Sequence, residues 1–315
     1  MFNKKIKKII LCIIGTCLIV NNTYIAKGDN NNEQGKYEET MKQDILCLML
    51  AYPDNIKDAI KEENGKVYIV MKSGKKILYD DKIKKNAEEK FQNTDLQDMM
   101  EEIYPIDTTR KLMEKDQNPG RNRVYDLLSE VYGNGKSAIE HNLKNTNLVY
   151  RNLQFNGNNK ASESLQRVFK EITSMGAKNG NIYSSVFPLN GTYNYRLIAG
   201  TNKLSPHAYG IAIDLNRDKR DYWKWASREE GQKRLDVYPE QVVATFQKNN
   251  FIWGGKWGHF DTLHFEYRPE IIMKAKYFGN TNIKRKVWHD GAPTKDLEVK
   301  KYIDKINQLI STQKG

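Results

Sequence analysis

Five histidines serve the 315-residue chain, and His207, His259 and His264 stand close in sequence to carboxylates. Ser205, Pro206 and His207 lead into a run from Tyr209 to Leu215 in which large and small residues alternate. In an extended strand Tyr209, Ile211, Ile213 and Leu215 share one face and Gly210, Ala212 and Asp214 the other. Asp214 is then the one acid on a small-residue face, where a metal and a substrate backbone can approach. Farther on, Asp261 and His264 are three residues apart in a stretch running from Trp257 through His259 and Phe260 to Glu266 and Tyr267. Zinc in a hydrolytic site takes three nitrogen or oxygen ligands and keeps a fourth position for water. His207, Asp214 and His264 satisfy that requirement for one Zn²⁺. Asp261, close to a ligand yet not needed as one, suits the general base that takes the proton of the acidified water. A His-Glu-x-x-His helix is absent, which excludes the helical zinc-protease arrangement. The spacings by themselves fit hydrogen-bonded core histidines beside solvated acids equally well.

These residues need particular elements. His207 has the wrong parity for the strand that carries Asp214, so with Pro206 before it the expectation is an entering loop. Asp261 and His264 face opposite sides of a straight strand, so Asp261 to Leu263 is expected to turn, with a strand beginning at His264. The chain before this region reads differently. Ile45 to Leu50 supply apolar positions to a helix, and Val67–Met71 and Lys76–Tyr79 flank Ser73 and Gly74 as a hairpin. Lys82 to Tyr104 reads as charged helix. Asn118, Pro119 and Gly120 mark a turn, helices are expected over Val124–Tyr132 and Ser162–Met175, and Asn156 to Asn159 form a polar break. At the end of the chain Val299, Tyr302, Ile303, Ile306, Leu309 and Ile310 recur at helical spacing, a stripe expected to pack on the body.

Composition sets the surroundings. The net charge of +12 and pI near 9.3 favour anionic partners such as an acidic cell-wall polymer, nucleic acid or anionic lipid. Lys4, Lys5, Lys7 and Lys8 precede an uncharged run from Ile9 to Val20 that is short for a membrane span and suits a secretory signal. Export to the cell envelope or outside the cell is therefore expected, and nucleic acid is not expected as a partner. Ala26 is a candidate cleavage point, although Tyr24 is large for its position, so membrane attachment through an uncleaved segment stays open. Beyond the signal only Cys47 remains, flanked by leucines and expected in the core without a disulfide.

The two clusters resemble the zinc D-Ala-D-Ala carboxypeptidase family of cell-wall metallopeptidases. The resemblance covers Gly191 to Glu270 and rests on Ser205, His207, Gly210, Ala212 and Asp214 followed by Asp261, His264 and Phe265. It implies an α+β fold of the Hedgehog and D-Ala-D-Ala peptidase type, with a small central antiparallel sheet flanked by helices. It implies zinc on His207, Asp214 and His264, Asp261 as base, and Arg196 as the arginine that binds substrate and steadies the oxyanion. Tyr209, His259, Trp257, Trp253 and Glu266 become candidates for the pocket or its support. Many relatives carry glutamate as the base, and the aspartate points to the L-alanyl-D-glutamate endopeptidase-like branch. The expected activity is hydrolysis of an amide in peptidoglycan stem peptides, as endopeptidase or as D-Ala-D-Ala carboxypeptidase. The alternative is a non-catalytic zinc-stabilised wall-binding module. The expected organisation is a signal or anchor over 1–26, a linker over 27–40, a mainly helical accessory region with a hairpin over 41–155, the peptidase domain over 156–280, and a tail with an amphipathic helix over 281–315.

Overall fold

The structure is a computed structural model and describes residues 22–107, 110–280 and 284–311. The signal or anchor expected over 1–26 falls largely outside them. Among the described residues no helix is long and apolar enough to cross a membrane. The chain divides into Met1–Met41 and Lys42–Gly315. Residues 27–40, expected as a linker, lie within helix α1 (Asn22–Ala51). Their asparagines and glycines are poor helix formers, so composition alone did not reveal a helix there.

In chain order α1 is followed by β1 (Ile56–Lys61), β2 (Val67–Met71), β3 (Lys76–Leu78), α2 (Ala87–Gln92), α3 (Leu96–Met100), α4 (Tyr125–Tyr132) and α5 (Lys136–Asn142). Next come β4 (Leu143–Asn147), β5 (Asn152–Asn156), α6 (Ala161–Gly176), α7 (Gly180–Val186), β6 (Ala212–Asp214), α8 (Arg228–Val237) and α9 (Glu240–Lys248). β7 (Phe251–Trp253), β8 (His264–Tyr267), α10 (Pro269–Phe278) and α11 (Leu297–Ser311) complete the chain. The class is α+β with small antiparallel sheets. β1–β2–β3 form a meander, β4–β5 a two-stranded ribbon, and β6–β8–β7 a sheet with β8 in the middle.

The β2–β3 hairpin closes at Gly74, whose φ of +93° suits a residue without a side chain. The stretch from Lys82 to Tyr104 forms two short helices rather than one, because Asn86 and Asp95 each start a capping box. The helical region with a hairpin expected before the polar break is present, and its β2–β3 hairpin is accompanied by β1 and by the β4–β5 ribbon. Val299, Ile303 and Ile306 are buried along α11, which packs near β1. Cys47 is a free, buried cysteine.

The core around the β6–β8–β7 sheet is aromatic. Phe246 of α9 stacks on Phe265 of β8 with ring centres 3.9 Å apart, and Trp253 stacks on the same residue at 6.1 Å. Such pairs add to the area they bury and fix the height of α9 over the sheet. Every residue of β7 and β8 is buried, so the sheet is enclosed on both faces and its polar side chains must find partners inside the protein.

Candidate active site

The register of the catalytic sheet brings two candidate ligands together. β6 runs antiparallel to β8 and places Asp214 directly across from His264. His207 arrives from a 3₁₀ turn, Pro206–Tyr209, capped at its start by the Ser205 hydroxyl and closed by Gly210 at φ +67°. The turn explains how His207 reaches a strand whose parity it does not share. His207 Nε2, Asp214 Oδ1 and His264 Nδ1 form a triangle with sides of 3.1, 2.9 and 3.2 Å.

The outer nitrogens of both imidazoles are engaged. His207 Nδ1 lies 2.5 Å from the Thr192 carbonyl, which can only accept, so this nitrogen carries the proton and Nε2 offers its lone pair. His264 Nε2 lies 3.8 Å from the Glu266 carboxylate, an ion-pair distance that leaves Nδ1 facing the triangle. Two ring nitrogens and a carboxylate oxygen thus converge on one point, where a proton can be shared or a metal ion held. Three donors of this kind, each about 2.0–2.2 Å from one ion, are what zinc takes, and outer partners that fix the imidazoles are the usual support of such sites. The donor set therefore fits zinc. Burial lowers the affinity of His264 for a proton, but the hydrogen bonds it donates to the Asp214 and Glu266 carboxylates reverse this and raise its pKa to about 10, so without a metal the ring holds a proton that an ion would displace. Burial likewise would raise Asp214, yet His207 and His264 hold it well below the usual carboxylate range.

Glu266 is itself fixed from behind. Arg123 grips both its oxygens at 2.8 and 2.5 Å, and Arg268 lies 3.4 Å away while donating to Glu270 at 2.6 Å. Glu266, Arg268 and Glu270 have no solvent exposure. Burial favours a neutral Glu266, but the charge and hydrogen bonds of Arg123 outweigh it and keep the carboxylate ionised far below its ordinary range.

Asp261 stands in the turn before His264, whose amide donates to the Asp261 carbonyl at 3.1 Å. The turn is tied on three sides. The Asp261 amide donates to Gly254 at 3.0 Å, the Thr262 amide to the Asp221 carbonyl at 2.8 Å, and Trp253 Nε1 to the Thr262 carbonyl at 2.8 Å. A side chain on Gly254 would lie 2.6 Å from the Asp261 carbonyl oxygen, so the close approach requires glycine. Asp221, held by Arg234 at 2.8 Å, also accepts from the Thr262 hydroxyl. Burial lifts the Asp261 carboxyl to about 8, Asp214 and Asp221 push the same way, and His264 and Arg121 oppose them.

One cavity of about 400 Å³ exposes the ligand triangle, Asp261 and Arg196 together. Arg196 is exposed on its wall, with a single weak contact to the Leu197 carbonyl at 3.4 Å. His259 and Trp257 also line it. Trp257 is pinned by its indole N–H to the Pro119 carbonyl at 2.8 Å and packs against His264 with ring centres 5.8 Å apart. Burial and the charges of Arg121 and Lys115 hold His259 below its usual pKa.

Residues 199–267 match the family model described as D-alanyl-D-alanine carboxypeptidase. The matched segment contains the three candidate ligands and Asp261, and it supports a peptidase of that kind. No curated protein and no solved structure matches the chain. Arg196 lies just before the matched segment and Glu266 near its end.

One expectation needs correction. Tyr209 does not line the cavity. It is buried, its hydroxyl lies 3.3 Å from that of Ser129, and its ring faces Tyr125. The strand expected to run from it begins only at Ala212, because Gly210 turns the chain. Trp253 does not line the cavity but supports it, through the bond of its indole to the Asp261 turn. The cavity also holds Arg121, and the sheet behind it depends on Arg123. Neither was named as a site residue from the sequence, since the segment around them reads only as a turn. The signal available was two arginines just after Asn118–Pro119–Gly120 with no acid beside them in sequence.

Proposed function

We propose that the protein is an exported zinc metallopeptidase that hydrolyses an amide bond of the peptidoglycan stem peptide. The observation that carries this reading is the half-buried, unligated Asp261 opening into the same cavity as a converged His-Asp-His donor set. A bound zinc, held by His207 Nε2, Asp214 Oδ1 and His264 Nδ1, supplies Lewis acidity that acidifies a water and polarises the scissile carbonyl. Asp261 takes the water's proton on its carboxylate and passes it to the leaving amine. A carboxyl whose burial moves its pKa toward neutrality suits both halves of that transfer. Arg196, free to reach into the cavity, steadies charge on the carbonyl oxygen. Trp257 and the Glu266–Arg123 pair hold His264 in orientation, and His259, neutral near pH 7, offers a hydrogen-bonding wall to the peptide. The basic sequence and its N-terminal apolar run agree with work at an acidic cell wall.

The test is digestion of purified peptidoglycan followed by mass spectrometry of the fragments. Wild-type protein is expected to release either a terminal D-Ala or fragments cut between L-Ala and D-Glu. A chelator is expected to abolish release and zinc to restore it, while Asp261→Asn is expected to lower the rate by about 10²–10⁴-fold. Full activity of Asp261→Asn sinks the assignment of the base. Zinc binding without any hydrolysis turns the site into a structural one.

A further inference from the structure

Arg121 and Arg123 sit two residues apart and meet opposite fates. Arg123 is buried and closed on Glu266. Arg121 stands on the cavity wall with its guanidinium 4.7 Å from the centre of the Phe91 ring, and among the described residues no carboxylate lies within ion-pair distance of it. Burial and the neighbouring charge of Arg123 lower its pKa to about 10, against the opposing influence of Tyr222, Glu88 and Asp261.

Its position is fixed rather than accidental. The turn that carries it is stitched to the loop between β7 and β8. The Gly258 amide donates to the Gln117 carbonyl at 2.7 Å, and the His259 amide and ring nitrogen reach Asn118 Oδ1 at 3.0 and 3.1 Å. A side chain on Gly120 would lie 2.8 Å from Ile252, so the turn lies flat on β7. Arg121 also belongs to two spaces at once. It lines the catalytic cavity and a second one of about 500 Å³ that shares Tyr222, Trp223 and His259 with the first and continues between Lys85 and Lys115 and the acids Glu88, Glu102 and Asp116. A ligand that spans both meets Arg121 on the wall they share.

We infer that Arg121 is a substrate-anchoring residue that binds a free carboxylate of the peptide as it passes from the catalytic cavity into the second one. The inference rests on the peptidase reading above and deepens it, since a pre-placed, planar guanidinium without an ion-pair partner among the described residues pairs with a carboxylate through two parallel hydrogen bonds. In a stem peptide such a carboxylate comes from the D-Glu residue or from the chain terminus.

Three synthetic stem pentapeptides separate the sources: one with both carboxylates free, one amidated on the glutamyl carboxylate, and one amidated at the C-terminus. Wild-type protein is expected to show a KM about 10- to 100-fold higher on one of the two amidated peptides, with kcat changed little, the size of effect a charged pair gives. Arg121→Gln is expected to raise KM by the same factor on the free peptide and by nothing further on the amidated peptide that wild type disfavours. Arg121→Lys, which keeps the charge, is expected to recover part of the loss. A penalty for Arg121→Gln that is equal on all three peptides, or a wild type indifferent to both amidations, overturns the inference while leaving the peptidase reading intact. A wild-type protein that cleaves none of the three overturns both.

Discussion

The outer meander β1–β2–β3 and the catalytic sheet β6–β8–β7 are both three-stranded and antiparallel, yet different forces shape them. On β2 burial alternates: Val67, Ile69 and Met71 point inward while Tyr68 and Val70 are half-exposed. Its ionic contact, Glu62 with Lys76 at 2.9 Å, lies at the surface. The catalytic sheet has no such alternation. β8 buries His264 and Glu266 beside Phe265 and Tyr267, and what fixes its polar face is charge paired with charge. The first sheet is a hydrophobic pattern with a solvated back. The second is a polar assembly sealed by aromatic residues. Binary patterning suffices for the first, whereas the second requires each buried charge to meet its own partner.

The contrast can be broken at its strongest point. Arg123→Ala leaves Glu266 ionised and buried without its bidentate partner, and it is expected to cost about 3–5 kcal/mol of stability, as one-sided removal from a buried pair does. Denaturant unfolding of the full chain measures this. A loss no larger than that of a surface substitution would mean that the pair does not hold the sheet.

Acid titration sharpens the same point more gently. Glu266 titrates in the folded protein well below its ordinary value of 4.5. Its ionised form therefore contributes stability that is fully present above about pH 4.5 and declines as the pH falls below it, because the unfolded chain then takes up a proton that the folded chain refuses. The stability gap between wild type and Glu266→Gln is expected to narrow from about pH 5 to about pH 3. A gap that stays constant over that range would show that the carboxylate's charge is not what matters. The smallest effect is expected at the meander. Glu62→Ala should leave the unfolding midpoint within experimental error, since exposed pairs are screened by solvent. A loss like that of Arg123→Ala would erase the distinction between the two sheets.

The same distinction governs what was legible in the sequence. The β2–β3 hairpin, α4 and α6 follow from local periodicity and their flanking turns, and the structure has them nearly where the pattern puts them. The ligand clusters are legible because each is compact: Ser205 to Asp214 and Asp261 to His264 span ten and four residues. The turn expected at Asp261 and the strand expected from His264 are both present. Tyr209 was misplaced by the resemblance and not by the alternation, which set it with Ile211 on the core face where it is buried; what alternation could not report is the turn at Gly210 inside the run. Arg123 escaped because its partner lies 143 residues away, a separation at which no local pattern operates. Arg121 escaped for the opposite reason. Among the described residues it has no carboxylate partner to be recognised by, only the Phe91 ring, and the shape of the cavity gives it meaning.

The pairing of Asp214 with His264 across β6 and β8 has a further consequence. Side chains on a strand change face at every step, so a slip of one residue between these strands turns one ligand away from the other. Histidine and aspartate meet at one alignment only, and that alignment also requires the chain from 215 to 263 to have found its place between them. On the zinc reading, uptake of the metal is then a certificate of finished folding. A chain mispaired by a single residue has the same composition but presents the wrong faces of these strands and has nowhere to put the ion, so metal stoichiometry distinguishes it from the correctly assembled protein.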